Sequence, residues 1–308
     1  MTKITAVAPG GDCPLWLAFL IRVTDGDLEL IAFLQRMAGY CLTGSTREHA
    51  LFFAYGTGGN GKGVFLNTLT GILGTYTATA SIETFTASQS DRHPTDLAML
   101  RGARLVSAQE TEEGRRWAES RIKALTGGDP ITARFMRQDF FTFQPGFKLI
   151  IAGNHKPGLR NVDEAIRRRF HMIPFIVKIL AAERDLDLPD KLKAEWPGIL
   201  KWMIEGCVAW QRDGLAAPLA VRKATDDYLE AEDAMALWMA ECCMVGPQFV
   251  DGSTPLFASW KRWAEQAGEH VGSQRRLSQA LQARGMKPGR GSAGHAMFEG
   301  VAVKPWVG

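Results

Sequence analysis

Apolar positions recur at two periods along the chain, and the change of period predicts its elements. Leu15, Phe19 and Leu20, and then Leu28, Ile31, Leu34 and Met37, return every three or four residues. That spacing predicts two helices, the first started by Asp12-x-Pro and the second running from Asp27 to a stop at Gly39. Residues 51–55, LFFAY, form an unbroken apolar run that leads into a glycine cluster, after which VFLNTLTGIL resumes helical spacing. Strand, loop and helix follow in that order. Apolar runs at 104–108, 148–152 and 171–177 read as further buried strands separated by helical stretches, the pattern of a parallel α/β sheet.

After Pro189 the texture is helical, with Leu192, Trp196, Leu200, Met203, Ile204 and Cys207 on one face, and this continues to about Gly246. Two more helices are expected at 256–267 and 273–284, followed by a basic hairpin loop, KPGRGSAGHAMFEGVAV, that enters a strand. Two helices and a basic β-wing predict a winged-helix-like module. The expected division is an N-terminal helical segment (1–48), a P-loop core (49–180), a helical subdomain (181–247) and the winged-helix-like module (248–308).

Composition narrows the class. With 46% hydrophobic and 22% charged residues in 308, the chain has the make-up of a folded globular protein. Its apolar stretches at 15–23 and 172–180 are broken by Arg22, Pro174 and Lys178, so no membrane span is expected. The N-terminus carries no secretory core, which predicts a cytoplasmic protein. Five cysteines without a CxxC pair predict free thiols, with neither a disulfide framework nor a zinc site. Thirty-two glycines favour a glycine-rich ligand loop.

That loop is GTGGNGKG: Gly56, Thr57, Gly58, Gly59, Asn60, Gly61, Lys62 and Gly63. It fits GxxxxGK between a predicted strand and helix, where backbone amides and the helix N-terminus cradle phosphate and a lysine adds a point charge. Gly56, Gly58 and Gly61 also satisfy GxGxxG, but a dinucleotide fold needs no lysine at the helix start. Gly63 stands where Ser or Thr usually meets Mg²⁺. The strand at 104–108 delivers Gln109 and Glu110 to its carboxyl end, where Glu110 is the candidate metal-orienting and water-activating acid, with Glu112 and Glu113 behind it. The strand at 148–152 ends in Gly153 and Asn154, an amide suited to hold water or sense a γ-phosphate. Arg167, Arg168 and Arg169 form a guanidinium cluster directly before the last strand, placed to reach phosphates of a neighbouring subunit.

These motifs, in this order, resemble the superfamily 3 helicases, in the phage and plasmid primase-helicase branch related to poxvirus primase-helicases. The resemblance covers about residues 12–233: GTGGNGK looks like motif A, LVSAQE like motif B and IKALTGGDPITARFMRQDFF like motif B′. Asn154 falls where motif C carries its sensor, and Arg169, next to Arg168, where the family places its finger. The resemblance implies an AAA+ type fold, a hexameric ring, ATP and Mg²⁺ as cofactors, translocation on single-stranded or forked DNA, and a bacterial host cell. Gly63 and the Gln109-Glu110 pair depart from the family pattern. Primer synthesis is not expected of this chain, which leaves room for a primase partner on another chain.

The B′ segment alternates like a hairpin and puts Arg134, Met136, Arg137 and Gln138 near its tip, with Phe140, Phe141 and Phe143 expected to pack inward. Five basic and two acidic residues lie between Arg121 and Lys148, and eight basic against three acidic from Lys261 to Lys304, so positive charge gathers where DNA contacts are expected. Lys261, Arg262, Arg275, Arg276 and Arg290 are the expected C-terminal footprint. The reading is an ATP-dependent DNA helicase. The alternative is a nucleotide-regulated DNA-binding initiator that does not unwind.

Overall fold

In the computed structural model, which describes residues 3–87, 95–109, 115–159, 162–290 and 295–305, the run LFFAY is β1 (Leu51–Tyr55), buried along its first four residues. In chain order it is followed by β2 (Thr77–Thr79), β3 (Leu105–Gln109), β4 (Ile131–Ala133), β5 (Phe141–Phe143), β6 (Lys148–Gly153) and β7 (Phe170–Pro174). Five of these make a parallel sheet in the order β2-β3-β6-β1-β7, and β4 pairs with β5 as a separate antiparallel hairpin. β2, with its two threonines, had no apolar run to announce it.

The chain divides into two units, Met1–Leu159 with Asp163–Tyr228, and Arg160–Val162 with Leu229–Gly308. The helices of the first are α1 (Pro14–Val23), α2 (Leu28–Tyr40), α3 (Lys62–Leu73), α4 (Thr95–Ala98), α5 (Glu119–Gly127), α6 (Glu164–Arg167), α7 (Leu188–Ala194), α8 (Trp196–Asp213) and most of α9 (Leu219–Ala231). The sheet is thus flanked by helices, as the alternation of runs predicts. Asp27 caps α2 through Leu30 N at 2.9 Å. The α1 start differs from expectation: its orphan amides, at Leu15 and Trp16, donate to the Glu195 carboxylate at 3.0 and 2.9 Å rather than to Asp12. Fully buried Trp16 stacks on Phe19 and Phe65 and meets Trp202 edge-on at 5.7 Å, which fastens α1 and α8 to α3. Helix α2 lies against α8 at backbone distance, because a Cβ on Gly39 would fall 2.0 Å from Cys207 N.

The second unit holds α10 (Ala234–Cys242), β8 (Cys243–Gly252), α11 (Ser253–Gln266), α12 (Gln274–Ala283), β9 (Lys287–Arg290) and β10 (Ala296–Val303). Its antiparallel sheet runs β8-β10-β9 around a core of Trp238, Leu256, Trp260, Leu281 and Val301. The expected helix to Gly246 gives way to β8 at Cys243, where pairing with β10 from Val303 back to Met297 overrides helical spacing. Among the described residues no helix is long and apolar enough to cross a membrane.

Lys148 is not part of a basic surface, as the charge count had it. It opens β6 fully covered, and its Nζ donates to the carbonyls of Thr43, Ser45 (3.3 Å) and Gly146 (3.2 Å) while lying 4.6 Å from the centre of the Tyr40 ring. Burial pushes its pKa down to about 8. Lys148→Met leaves three carbonyls without their donor and is expected to cost about 2–4 kcal/mol in urea denaturation.

Candidate active site

Strand register brings the site together. Tyr55 is level with Gly153 on β6 and with Pro174 on β7, so the next residue of each strand, Gly56, Asn154 and Phe175, emerges on the same carboxyl edge. Ligands bind at that edge in open α/β sheets. The glycine loop turns there through Gly58 (φ 92°), Gly59 (φ 63°) and Gly61 (φ 85°) and delivers Lys62 to the first position of α3. Gly61 has no alternative, since a Cβ would meet Val23 Cγ1 at 2.5 Å in a left-handed backbone. Gly56 is confined by approach: a Cβ would lie 2.0 Å from Phe175 O.

The Lys62 ammonium is 8% exposed and donates to Gly56 O at 2.7 Å, Asn60 Oδ1 at 3.2 Å and Asn154 Oδ1 at 3.2 Å. Asn60 is oriented by its own Nδ2, which donates to Phe175 O at 2.6 Å. Burial pushes the Lys62 pKa below the ordinary lysine value. Gly61 supplies no side-chain cap, so the amides of the first turn of α3 have no partner inside the helix and carry the positive end of its dipole. Thr57 and Gly59 are exposed.

At the end of β3, Gln109 Nε2 donates to Asn67 Oδ1 on α3 at 3.3 Å. Glu110, the expected metal-orienting acid, lies outside the described residues, as do Glu112 and Glu113. The described carboxamides, Asn67 on α3 one turn beyond Gly63 and Gln109 at the end of β3, are oxygen-bearing and of the kind a hard cation such as Mg²⁺ takes.

The adjacent arginines separate. Arg169 is 6% exposed, with Nε on Thr126 Oγ1 at 3.1 Å and Nη1 on Ala165 O at 2.6 Å. A guanidinium committed to its own fold is not available to a neighbour, so the expectation for Arg169 is corrected. Arg168, one residue earlier at the end of α6, is exposed.

The β4–β5 hairpin raises Phe135 (37% exposed), Met136 (68%) and Phe140 (58%) into solvent together with Arg137 and Gln138, and Arg137 takes a left-handed backbone at the turn. Phe140 therefore does not pack inward; its ring lies 4.6 Å from the half-buried Arg134 guanidinium, while Phe141 and Phe143 are half-buried. In the second unit Lys261, Arg262, Arg275, Arg276 and Arg290 are all exposed.

One feature escaped the sequence. A cavity of about 440 Å³ opens beside Gly59 and Gly61, walled by Leu15, Phe19, Val64, Ile179, Leu188 and Pro189, with Arg22, Glu183 and Arg184 also lining it. Its walls come from three stretches far apart in sequence, which no single window of the chain brings together.

A family of unknown function (DUF5906) matches residues 54–169, from the end of β1 to Arg169. The protein named "Putative helicase L207/L206" of Acanthamoeba polyphaga mimivirus is 25% identical over 228 residues, covering 68% of this chain and 24% of that protein. "Putative helicase 022R" of Frog virus 3 is 24% identical over 277 residues, covering 82% of this chain and 28% of that protein. Both similar proteins are viral and carry the name putative helicase. The chain thus spans about a quarter of the length of these relatives. Nothing in them supports the bacterial host expected from the phage and plasmid branch. Among solved structures, the apo NrS-1 C-terminal region (305–718) shares the fold, with a TM-score of 0.61 at 14% identity over 96% of this chain and 78% of that one.

The division of the arginines is testable by thermal melting. Arg169→Ala is expected to lower stability by about 2 kcal/mol, whereas Arg168→Ala stays within about 0.5 kcal/mol of wild type.

Proposed function

We propose that this chain is the motor portion of an ATP-hydrolysing superfamily 3 helicase that moves along single-stranded DNA. The observation that carries this reading is the Lys62 ammonium held by Gly56, Asn60 and Asn154 at the carboxyl edge of the sheet, beside the free first turn of α3. A buried cation with neutral acceptors and unpaired amides around it is an anion site. The cavity walled by Phe19 and Val64 supplies an apolar slot next to it for a nucleobase.

In this reading the β- and γ-phosphate oxygens of ATP replace Gly56 O and Asn154 Oδ1 as acceptors of the Lys62 hydrogens, and the α3 amides take the remaining phosphate oxygens. Asn154, released from Lys62, orients the attacking water, and Glu110 accepts its proton. Glu110 and the carboxamides of Asn67 and Gln109 would hold the Mg²⁺ that comes with the nucleotide, and the ion would offset the charge of the triphosphate. Arg168 of a neighbouring copy, in a hexameric ring, contacts the γ-phosphate, so each site is completed across a seam. Loss of that contact on hydrolysis shifts one subunit against the next, and the hairpin tips at Arg134, Met136, Arg137 and Gln138 carry the strand with them.

The second unit supports DNA contact on separate grounds. Arg275 and Arg276 stand in the first turn of α12, where the helix dipole disfavours cations, so helix stability does not account for them. With Lys261 and Arg290 they form the surface expected to meet phosphates at a fork. A primase on another chain remains the proposed partner.

Single-stranded DNA is expected to raise ATP turnover several-fold. Arg137→Ala should lose that stimulation while still binding ATP, and Lys62→Ala should lower turnover by about 100-fold or more. A forked duplex that is bound but left paired in the presence of ATP would favour the initiator reading.

A further inference from the structure

The two places where the phosphate site departs from its motif lie on α3 and at the end of β3, and one hydrogen bond ties these two elements. Gly63 offers no hydroxyl at the second position of α3, and Gln109 offers a carboxamide at the end of β3. Asn67 lies one turn further along α3 and accepts a hydrogen bond from Gln109 Nε2 at 3.3 Å. Side chains on a helix lean toward its N-terminus, so Asn67 is directed back toward the Gly63 turn of α3 without filling the space at position 63. That space is open: a Cβ on Gly63 would meet nothing within 4 Å. Both side chains are exposed, so their bond contributes little to stability and needs another reason to hold its geometry. Asn67 Oδ1 keeps a second lone pair for a further donor, and Mg²⁺ in phosphate sites keeps several waters that must donate to something.

We propose that Asn67, oriented by Gln109, is a magnesium-shell residue that takes over the role of the hydroxyl missing at position 63. The inference rests on the nucleotide reading above. Its oxygen accepts from a metal-bound water, and Gln109 is the positioning residue that keeps the amide turned the right way. Both groups are neutral, so most of the ion's affinity comes from the phosphates, and the ion enters with the nucleotide.

The test is a magnesium titration of a fluorescent, non-hydrolysable ATP analogue bound to the full chain, with binding in EDTA as reference. Asn67→Ala should raise the Mg²⁺ concentration at half-effect about tenfold and leave affinity in EDTA within about twofold. Gly63→Ser added to Asn67→Ala should restore the wild-type half-point, because the hydroxyl returns to open space, and Asn67→Asp should lower the half-point by adding charge. An amide pair that merely ties α3 to β3 would change the melting temperature and the EDTA affinity together, without rescue by Gly63→Ser. That outcome, or an unchanged half-point in Asn67→Ala, overturns the proposal. Failure of the wild-type chain to bind the analogue under any condition overturns the nucleotide reading itself, so the two failures are separable.

Discussion

The structure turns on where a single ammonium group is kept. Lys62 is almost covered, and a covered cation is tolerable only if its hydrogens have acceptors. Gly56, Asn60 and Asn154 provide them. Each acceptor belongs to a different part of the sheet edge: the exit of β1, the loop itself and the exit of β6. Parallel registration of β1, β6 and β7 is therefore a condition for burying the charge, and the tie from Asn60 to Phe175 O shows β7 included in it. None of the acceptors is anionic, which keeps the group available to a stronger partner. A carboxylate in place of Asn154 would satisfy Lys62 more strongly and compete with phosphate.

The same constraint explains the glycines and the helices behind them. Only glycine fits at two points of the loop, because α1 brings Val23 and Phe19 close under Gly61 and because Phe175 O occupies the space where a Gly56 side chain would sit. Helix α1 is in turn held by Glu195, which caps it from the start of α8, and by Trp16 against Trp202. Helix α1 is thus part of the wall of the site. The cavity beside Gly59 is a consequence of that packing.

Much of this was legible in the sequence. The apolar runs gave β1, β3, β6 and β7 because strands buried on both faces carry no polar alternation, and the glycine–lysine loop fixed which end of the sheet mattered. Three things were not legible, each for a physical reason. Arg168 and Arg169 look equivalent as neighbours, yet successive residues at a helix end point in different directions, and Thr126 takes only one of them. Lys148 reads as a surface charge because its carbonyl partners lie in the loop after α2, a hundred residues earlier. Strand β8 was hidden by its helical neighbours, since pairing with β10 is a long-range fact that no window of sequence holds. The bond between Asn67 and Gln109 is of the same kind, two unremarkable amides until the fold places them at 3.3 Å.

The most direct measurement is a structure of the chain with a non-hydrolysable ATP analogue. Phosphate oxygens are expected within hydrogen-bonding distance of Lys62 Nζ and of the first amides of α3, with Lys62 withdrawn from Asn154 and the base in the cavity walled by Phe19 and Val64. An analogue bound elsewhere, with Lys62 still held by Gly56, Asn60 and Asn154, would contradict the nucleotide reading.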